Sequence, residues 1–204
     1  MFRHFVKITL YLLCVSCITS QNSDIIGGSC EGCQAIYESQ DRELSSTDTL
    51  PDFELSTQKI KMSGIVYQLD GKTPAPEVIL YIYQTNAEGK YPKRDDSSGW
   101  EARHGYIRTW IKTDSNGRYE FYTGRPASYP NSSVPQHIHV VVKEPDKMEY
   151  YVEDFFFADD PNLTSKIKNR QRPRGGSGVV TLTDKDGIKV GNRDIILGLH
   201  VPNY

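Results

Sequence analysis

Short runs of β-forming residues, separated by turn signals, constrain the fold of this chain more than any other feature. From residue 59 onward, β-branched and aromatic residues recur in such runs. The run over residues 78–83 is continuous, as expected of a buried strand. Helical periodicity is weak, and only residues 162–171 suggest a short turn of helix. We therefore predict an all-β domain, a β-sandwich, over residues 59–204.

Glycine-containing turns predict where the strands reverse. Asn116-Gly117 lies between two β-forming runs, and both turn residues tolerate positive φ, so this segment predicts a β-hairpin. Asp186-Gly187 is expected to turn between the last two strands of the chain. The flanking runs are residues 109–113 and 118–122 for the first turn, and residues 179–183 and 195–199 for the second.

The length and charge of the chain limit its organisation and its partners. A chain of 204 residues is expected to form one domain with an extension. We place the extension at residues 18–58, where no sustained periodicity appears. The net charge is −2 and there is no long basic run. The chain therefore lacks the electrostatic footprint of a nucleic-acid-binding protein.

The first residues are typical of an export signal. Arg3 and Lys7 surround the start of an apolar run that is too short to span a bilayer. We predict that residues 1–17 are a signal peptide. Cys17 follows a small residue at the end of this run, as at a bacterial lipoprotein cleavage site, so a lipidated Cys17 is expected to anchor the protein to a membrane. The prediction is an exported protein, periplasmic or membrane-anchored, with simple secretion and an uncleaved or cytoplasmic start as alternatives.

Cys30 and Cys33 form a C-x-x-C pair in the predicted mature chain. In an exported protein such a pair is typical of a structural disulfide. A redox pair and half of a zinc site are the alternatives. The other C-x-x-C, Cys14 and Cys17, lies in the predicted signal peptide, so the predicted mature chain cannot form a four-cysteine zinc site. No βαβ pattern follows Cys33, which disfavours a thioredoxin-like role.

A His-x-His pair is the strongest candidate for a metal site. His137 and His139 lie two residues apart in a predicted strand, so their side chains share one face while Ile138 takes the other. Tyr129 lies eight residues upstream of His137, and Tyr91 lies a further 38 upstream. Phenolate is a hard anionic donor that suits Fe(III) better than zinc or copper. Two tyrosines and two histidines therefore indicate non-haem ferric iron.

Four motifs in this order resemble those of the intradiol ring-cleavage dioxygenases, in the protocatechuate 3,4-dioxygenase branch. The resemblance covers about residues 60–200. It implies a transthyretin-like, immunoglobulin-like β-sandwich that holds Fe(III). It also implies cleavage of a catechol-type substrate by O2 between its two hydroxyl carbons, giving a muconate-type diacid. The motifs are Gln84-Thr85-Asn86-Ala87-Glu88-Gly89-Lys90-Tyr91, Thr113-Asp114-x-x-Gly117-x-Tyr119-x-Phe121, Pro126-x-x-Tyr129-Pro130 and Pro135-x-His137-Ile138-His139.

The resemblance implies a role for each matching residue. The iron ligands would be Tyr91, Tyr129, His137 and His139. Tyr129 would be the ligand that dissociates and accepts a proton when the catechol binds. The resemblance also suggests that the protein associates into a homo-oligomer.

One position departs from the family pattern. The family commonly has an arginine directly before the proline of the Pro-x-His motif, and this chain has Val134 there. Arg125 and Arg108 are the candidates to supply the missing positive charge. Losing a charge-stabilising donor costs roughly 100-fold or more in rate. The alternative function is therefore a weakly active or inactive exported binding module that has kept the iron site.

Overall fold

The computed structural model describes residues 25–39, 42–169 and 172–204. The predicted signal peptide and Cys17 lie outside these residues. In the described part of the chain, two six-stranded sheets pack face to face. Both sheets mix parallel and antiparallel pairs. The predicted all-β sandwich is confirmed.

The strands, numbered along the chain, divide between the two sheets in an order that differs from their sequence order. The first sheet runs β1-β5-β2-β11-β10, with β12 also beside β2. The second runs β4-β3-β6-β8-β9, with β7 also beside β6. The strands of the first sheet are β1 (Thr47–Thr49), β2 (Lys59–Tyr67), β5 (Arg118–Gly124), β10 (Thr183–Lys185), β11 (Ile188–Asn192) and β12 (Ile195–Ile196). Those of the second are β3 (Ile79–Gln84), β4 (Arg108–Lys112), β6 (His137–Lys143), β7 (Tyr150–Tyr151), β8 (Phe155–Phe157) and β9 (Val179–Val180).

Helical structure in the described residues is short, as the weak periodicity predicts. A 3₁₀ helix covers Cys33–Ser39, and two single-turn α-helices follow, α1 (Glu101–His104) and α2 (Ser165–Lys168). The second lies within the segment predicted to form a turn of helix. Among the described residues, none of these helices has the length and apolar character needed to cross a bilayer.

The two faces of the second sheet have different partners. On β6, Ile138 and Val140 are buried in the main core between the sheets, where Leu80 of β3 also packs. The alternate residues, including Val141 and Tyr81, lie on the outer face in a second cluster. Because strand side chains alternate, His137 and His139 also lie on that outer face, as the sequence predicts.

Part of the predicted extension packs on this outer face. Ile36 of the 3₁₀ helix is buried against Tyr81 and Trp110. Cys30 and Cys33 form a disulfide at the start of this helix, as predicted. Farther along, β1 adds to the edge of the first sheet by pairing with β5 in parallel. Residues of the extension therefore add a strand to the first sheet and cover part of the outer face of the second.

The prediction of a β-hairpin at Asn116-Gly117 is wrong. Strands β4 and β5, on either side of it, pair with β3 and β2 respectively, so the turn carries the chain from one sheet to the other. The turn chemistry itself is present, since Gly117 has a φ of +68°. A turn signal specifies that the chain reverses, but it does not specify which strand the chain then pairs with.

The turn predicted at Asp186-Gly187 is present, but the strands that it joins are not the two that were predicted. Asp186-Gly187 joins β10 and β11, which pair antiparallel. The predicted strand at residues 179–183 is reduced to β9 in the second sheet, and that at residues 195–199 to β12. Both strands are short because the residues that flank them leave the sheets and form loops.

Candidate metal centre

Four side-chain donor atoms converge on one point at the outer face of the second sheet. The Tyr91 hydroxyl oxygen lies 2.7 Å from the Tyr129 hydroxyl and 2.9 Å from His139 Nε2. The Tyr129 hydroxyl lies 3.2 Å from His137 Nε2 and 3.4 Å from His139 Nε2. The two Nε2 atoms are 3.1 Å apart. The structure thus brings together the four residues that the sequence nominated as ligands.

Different segments deliver these four donors. His137 and His139 come from β6, where a spacing of two puts both rings on one face. Tyr91 follows the turn after β3, and Tyr129 follows the end of β5. Gly89 allows the two tyrosine segments to meet: it has a φ of +74°, and a Cβ built on it would lie 1.9 Å from the carbonyl oxygen of Ser128. Only glycine fits this approach.

Hydrogen bonds at the far side of each ring assign the histidine tautomers. His137 Nδ1 lies 2.7 Å from the carbonyl oxygen of Pro135. His139 Nδ1 lies 3.1 Å from Asp154 Oδ1. A carbonyl and a carboxylate can only accept, so both Nδ1 atoms carry the proton. In the neutral imidazoles both Nε2 atoms are then unprotonated, and their lone pairs are directed at the two tyrosine hydroxyls.

The donor set fits a metal ion. The unprotonated Nε2 atoms of His137 and His139 face each other at 3.1 Å, a repulsive contact that an electron-pair acceptor between them would relieve. Ligands held ~2.0–2.1 Å from one ion at angles between 90° and tetrahedral lie about 2.9–3.4 Å apart. The measured separations, 2.7 to 3.4 Å, are close to this range. Two phenols with two imidazoles favour ferric iron over zinc or copper.

Without a cation, the two phenols are expected to stay protonated. Burial, followed by the hydrogen bond and charge of Tyr129, raises the pKa of Tyr91 well above the ordinary value near 10. Burial also raises the pKa of Tyr129, although the hydrogen bond from Tyr91 works against that rise. A bound cation reverses this preference by stabilising the phenolates. The site is therefore built to change protonation state when a metal binds.

Asp154 belongs to this site, and sequence reasoning missed it. With His137 and His139 it forms the group of potential metal ligands found among the described His, Cys, Asp and Glu residues. The atoms show how the group is arranged: its carboxylate contacts Nδ1 of His139, the ring nitrogen opposite the converging Nε2. Its sequence position, 15 residues after His139, carries no motif that could have indicated the contact.

A model for dioxygenases, the Dioxygenase_C family, matches residues 36–184, which is more than half of the chain. The chain belongs to the intradiol dioxygenase family. It is 29% identical over 112 residues to the protocatechuate 3,4-dioxygenase beta chain of Burkholderia cepacia. The match covers 52% of this chain and 47% of that protein, so it spans about half the length of this curated relative.

Solved structures of the intradiol family share this fold. The dioxygenase domain of a dioxygenase–carbohydrate-binding protein fusion from Streptomyces sp. SirexAA-E has a TM-score of 0.56 at 19% identity, covering 83% of this chain and 95% of that one. The 3-chlorocatechol 1,2-dioxygenase of Rhodococcus opacus 1CP has a TM-score of 0.58 at 20% identity, covering 76% and 66%. At such identities the similarity establishes the fold alone. The predicted family and sandwich are both confirmed.

A cavity of about 770 Å³ opens beside the donor cluster of this intradiol family member. His137 and Asp154 line it together with apolar side chains, among them Phe156 and Ile167, and with polar ones that include Lys166. Val134, at the position where the family commonly has arginine, also lines it and is 41% exposed. The cavity could hold an aromatic ring against the donor cluster.

The two candidate arginines lie elsewhere. Arg125 makes a two-pronged ion pair with Asp159, at 2.8 Å for each contact, and donates from Nε to Gln136. Arg108 pairs with Glu38 and Glu101. Among the described residues that line the cavity beside His137, neither arginine is present. Both guanidiniums are paired with carboxylates, and the catalytic role predicted for Arg125 and Arg108 stays a prediction.

An aromatic stack supports His139 from the side. Tyr83 stacks on the His139 ring at 4.4 Å between centroids and on the His104 ring at 4.0 Å. His104 is buried, and the Tyr81 hydroxyl lies 2.9 Å from its Nδ1. His104 therefore belongs to the support of the site rather than to the converging donors.

His104 should make stability depend on pH. Burial, reinforced by the interaction with His139 and by the positive charge of Arg108, lowers the pKa of His104 from 6.5 to about 4. The unfolded chain therefore binds a proton between pH 6.5 and 4 while the folded chain does not, so stability falls as the pH falls through that window. The loss reaches about 3 kcal/mol by linkage.

Chemical unfolding measured from pH 7.5 to 4 checks this expectation, with His104→Asn as the reference. Asparagine keeps an acceptor for the Tyr81 hydroxyl but does not titrate. The free energy of unfolding of this variant should depend less on pH in this window than that of the natural protein. Parallel pH profiles for the two proteins would contradict the assignment.

Proposed function

We propose that this protein is a non-haem Fe(III)-dependent intradiol dioxygenase that cleaves a catechol-type ring with O2 to a muconate-type diacid. The observation that carries the proposal is the convergence of two tyrosine hydroxyls and two unprotonated Nε2 atoms within 2.7 to 3.4 Å of one another. Membership of the intradiol dioxygenase family supports it.

The four converging side chains would hold the ion, and their charges suit ferric iron. Two phenolates and two neutral imidazoles leave Fe(III) with a net charge near +1, which a dianionic catecholate can approach without repulsion. When bound, the iron supplies the Lewis acidity that holds the catecholate and makes it reactive toward O2. The protein supplies the positions of the donors and the shape of the cavity.

Tyr129 is the residue that we expect to manage the incoming proton. Its ring is less enclosed than that of Tyr91, and its hydroxyl lies 3.2 Å from Nε2 of His137, which lines the cavity. The high pKa of Tyr129 makes its oxygen a good proton acceptor once it is ionised. A catechol hydroxyl that enters beside His137 would therefore transfer its proton to the Tyr129 oxygen.

The cavity walls suit an aromatic substrate. Phe156 and Ile167 offer apolar surface to a ring, and burial of such surface favours binding without fixing the ring substituents. One wall of the cavity, next to the donors, is formed by the rings of Phe156 and His137. The two rings are tilted relative to each other, with their centroids 6.1 Å apart. A ring held there would present adjacent hydroxyls to the donor cluster.

A second candidate function follows from the cavity's charge. Val134 provides no positive group at the position of the family's arginine, and Arg125 and Arg108 are paired with carboxylates away from the cavity. Among the described residues, the cation that does line the cavity is the exposed Lys166 of α2, a flexible point charge in place of a planar guanidinium. The alternative proposal is an iron-holding binding module with weak or no ring cleavage. The two proposals agree on the metal site and differ in whether a bound catechol is turned over.

Iron loading separates these functions. The purified protein, incubated with ferric iron and desalted, should carry about one iron per chain and show the visible tyrosinate-to-iron charge-transfer band expected of this donor chemistry. Oxygen uptake with a panel of catechols should then yield a muconate-type product by ultraviolet absorbance. A coloured protein that consumes no oxygen with any catechol would favour the binding module. A colourless, iron-free protein after loading would overturn both proposals.

A further inference from the structure

We propose that Asp154 is the positioning residue for His139, and that its carboxylate makes His139 the stronger imidazole donor of the proposed iron site. The inference rests on the proposed function, because it assigns a role toward the same ion. Its starting point is one contact: Asp154 Oδ1 lies 3.1 Å from His139 Nδ1, on the ring nitrogen opposite Nε2.

The contact holds the ring in a state that can bind a metal. Because the carboxylate accepts from Nδ1, the proton of His139 stays on Nδ1 and the lone pair stays on Nε2, 2.9 Å from the Tyr91 hydroxyl. Tyr83 stacks on the face of the same ring and limits its tilt. Rotation and tautomer are therefore both determined before any ion arrives.

The two histidines differ in the group behind them. His137 donates to a neutral carbonyl, that of Pro135, whereas His139 donates to the Asp154 carboxylate. A carboxylate behind a metal-binding imidazole raises its basicity more than a carbonyl does, and losing such a partner commonly lowers metal affinity about 10- to 100-fold. The carboxylate also adds a negative charge close to the donor cluster, which favours the ferric state over the ferrous state.

The surrounding structure keeps Asp154 in place. A Cβ on Gly178 would lie 2.0 Å from the Asp154 carbonyl oxygen, so the chain entering β9 packs directly on the backbone of Asp154. The buried guanidinium of Arg193, which donates to the carbonyl of Glu153, adds a favourable charge nearby. The Asp154 side chain is 27% exposed and also lines the 770 Å³ cavity. The backbone of Asp154 is thus held in place by packing, and its side chain is directed toward His139.

The carboxylate does not occupy a place among the converging donors. It approaches His139 from the Nδ1 side, while the tyrosine oxygens and the other imidazole meet Nε2. An ion held by the two Nε2 atoms would have the His139 ring between itself and Asp154. The geometry therefore assigns Asp154 an action through His139 rather than on the ion.

Two substitutions separate charge from hydrogen bonding. Asp154→Asn keeps an oxygen that can accept from Nδ1 but removes the charge, whereas Asp154→Ala removes both. In the iron-loaded protein, Asp154→Ala should raise the iron dissociation constant about 10- to 100-fold, and Asp154→Asn by less. Both should move the visible charge-transfer band to longer wavelength, because an iron that has lost a nearby negative charge accepts an electron from tyrosinate more easily.

The band position distinguishes this role from a structural one. A substitution that only loosened the fold would lower the iron content and leave the band of the remaining iron unmoved. Asp159→Asn is the matched control: it removes an equal charge from a 56% exposed side chain that pairs with Arg125, and it should leave iron affinity within about twofold and the band unmoved.

The outcomes also separate this inference from the proposed function. If the natural protein binds iron with the expected band, but Asp154→Ala matches it in affinity and in band position, then the positioning role is wrong and the iron site stands. If the natural protein binds no iron, both fail. Weaker binding together with a band at longer wavelength in the two variants supports the positioning role.

Discussion

His139→Ala should lower the affinity for ferric iron by more than about 100-fold and abolish the visible charge-transfer band. The substitution removes one of the four converging donors and leaves the Tyr91 hydroxyl without the nitrogen that lies 2.9 Å away. Loss of a metal-contacting group is expected to exceed the effect of losing an outer partner, which is itself about 10- to 100-fold. Iron content after desalting and the visible spectrum measure the result.

Tyr129→Phe tests the same site with a smaller change. It removes a single oxygen and keeps the ring that packs against His137 at 5.3 Å between centroids. Iron affinity should fall while the stability of the metal-free protein changes little.

His104→Asn is the control for both variants. His104 is buried and, like His139, stacks on Tyr83, but it lies outside the converging donors. This control should bind one iron with an unchanged band. Equal loss of iron in the control and in His139→Ala would mean that the ligand assignment is wrong.

Gly89→Ala should destabilise the protein by roughly 3–5 kcal/mol and prevent iron binding, because it adds backbone strain and a backbone collision at once. Gly89 has a φ of +74°, which side chains rarely adopt. Its new Cβ would also lie 1.9 Å from the Ser128 carbonyl oxygen and 3.2 Å from Pro130, the residues on either side of Tyr129. To relieve the overlap, the Tyr91 and Tyr129 segments must separate, and the donors would separate with them.

Gly187→Ala isolates the strain from the collision. Gly187 has a φ of +82°, but a Cβ there meets nothing within 4 Å. This control should cost about 1–2 kcal/mol and leave iron binding unchanged. Thermal unfolding of the metal-free proteins and iron titration of each measure both effects. If Gly89→Ala behaved like Gly187→Ala in both assays, the close approach of the tyrosine segments would not matter to the site.

The donor residues were accessible from the sequence because their signals are local. A spacing of two in a strand puts His137 and His139 on one face, and that follows from strand geometry alone. Tyr91 and Tyr129 required the motifs around them, since a chain with 13 tyrosines offers many aromatic residues whose role is packing. The proposal of ferric iron rests on ligand chemistry.

The pairing of the strands and the ion-pair partners of the arginines could not be predicted from the sequence in the same way. The turn at Asn116-Gly117 was recognised, but its flanking strands joined different sheets, because each strand pairs where it buries the most apolar surface. The arginines named from the sequence pair instead with carboxylates: Arg125 with one that lies 34 residues away, and Arg108 with two that lie 70 and 7 residues away. Asp154, which no motif indicated, is the acidic residue that reaches a proposed ligand.

The amino-acid sequence by itself determined the family and the β-sandwich, and it named the four side chains that converge, because alternation, turn chemistry and motif order are properties of short segments. Only the tertiary structure decided how the donors meet. Gly89 lets two distant loops approach, Asp154 and Pro135 direct the protons of the imidazoles, and Val134 lines the cavity where the family commonly has arginine. These contacts join residues far apart in the chain, and the packing of the whole sandwich selects them.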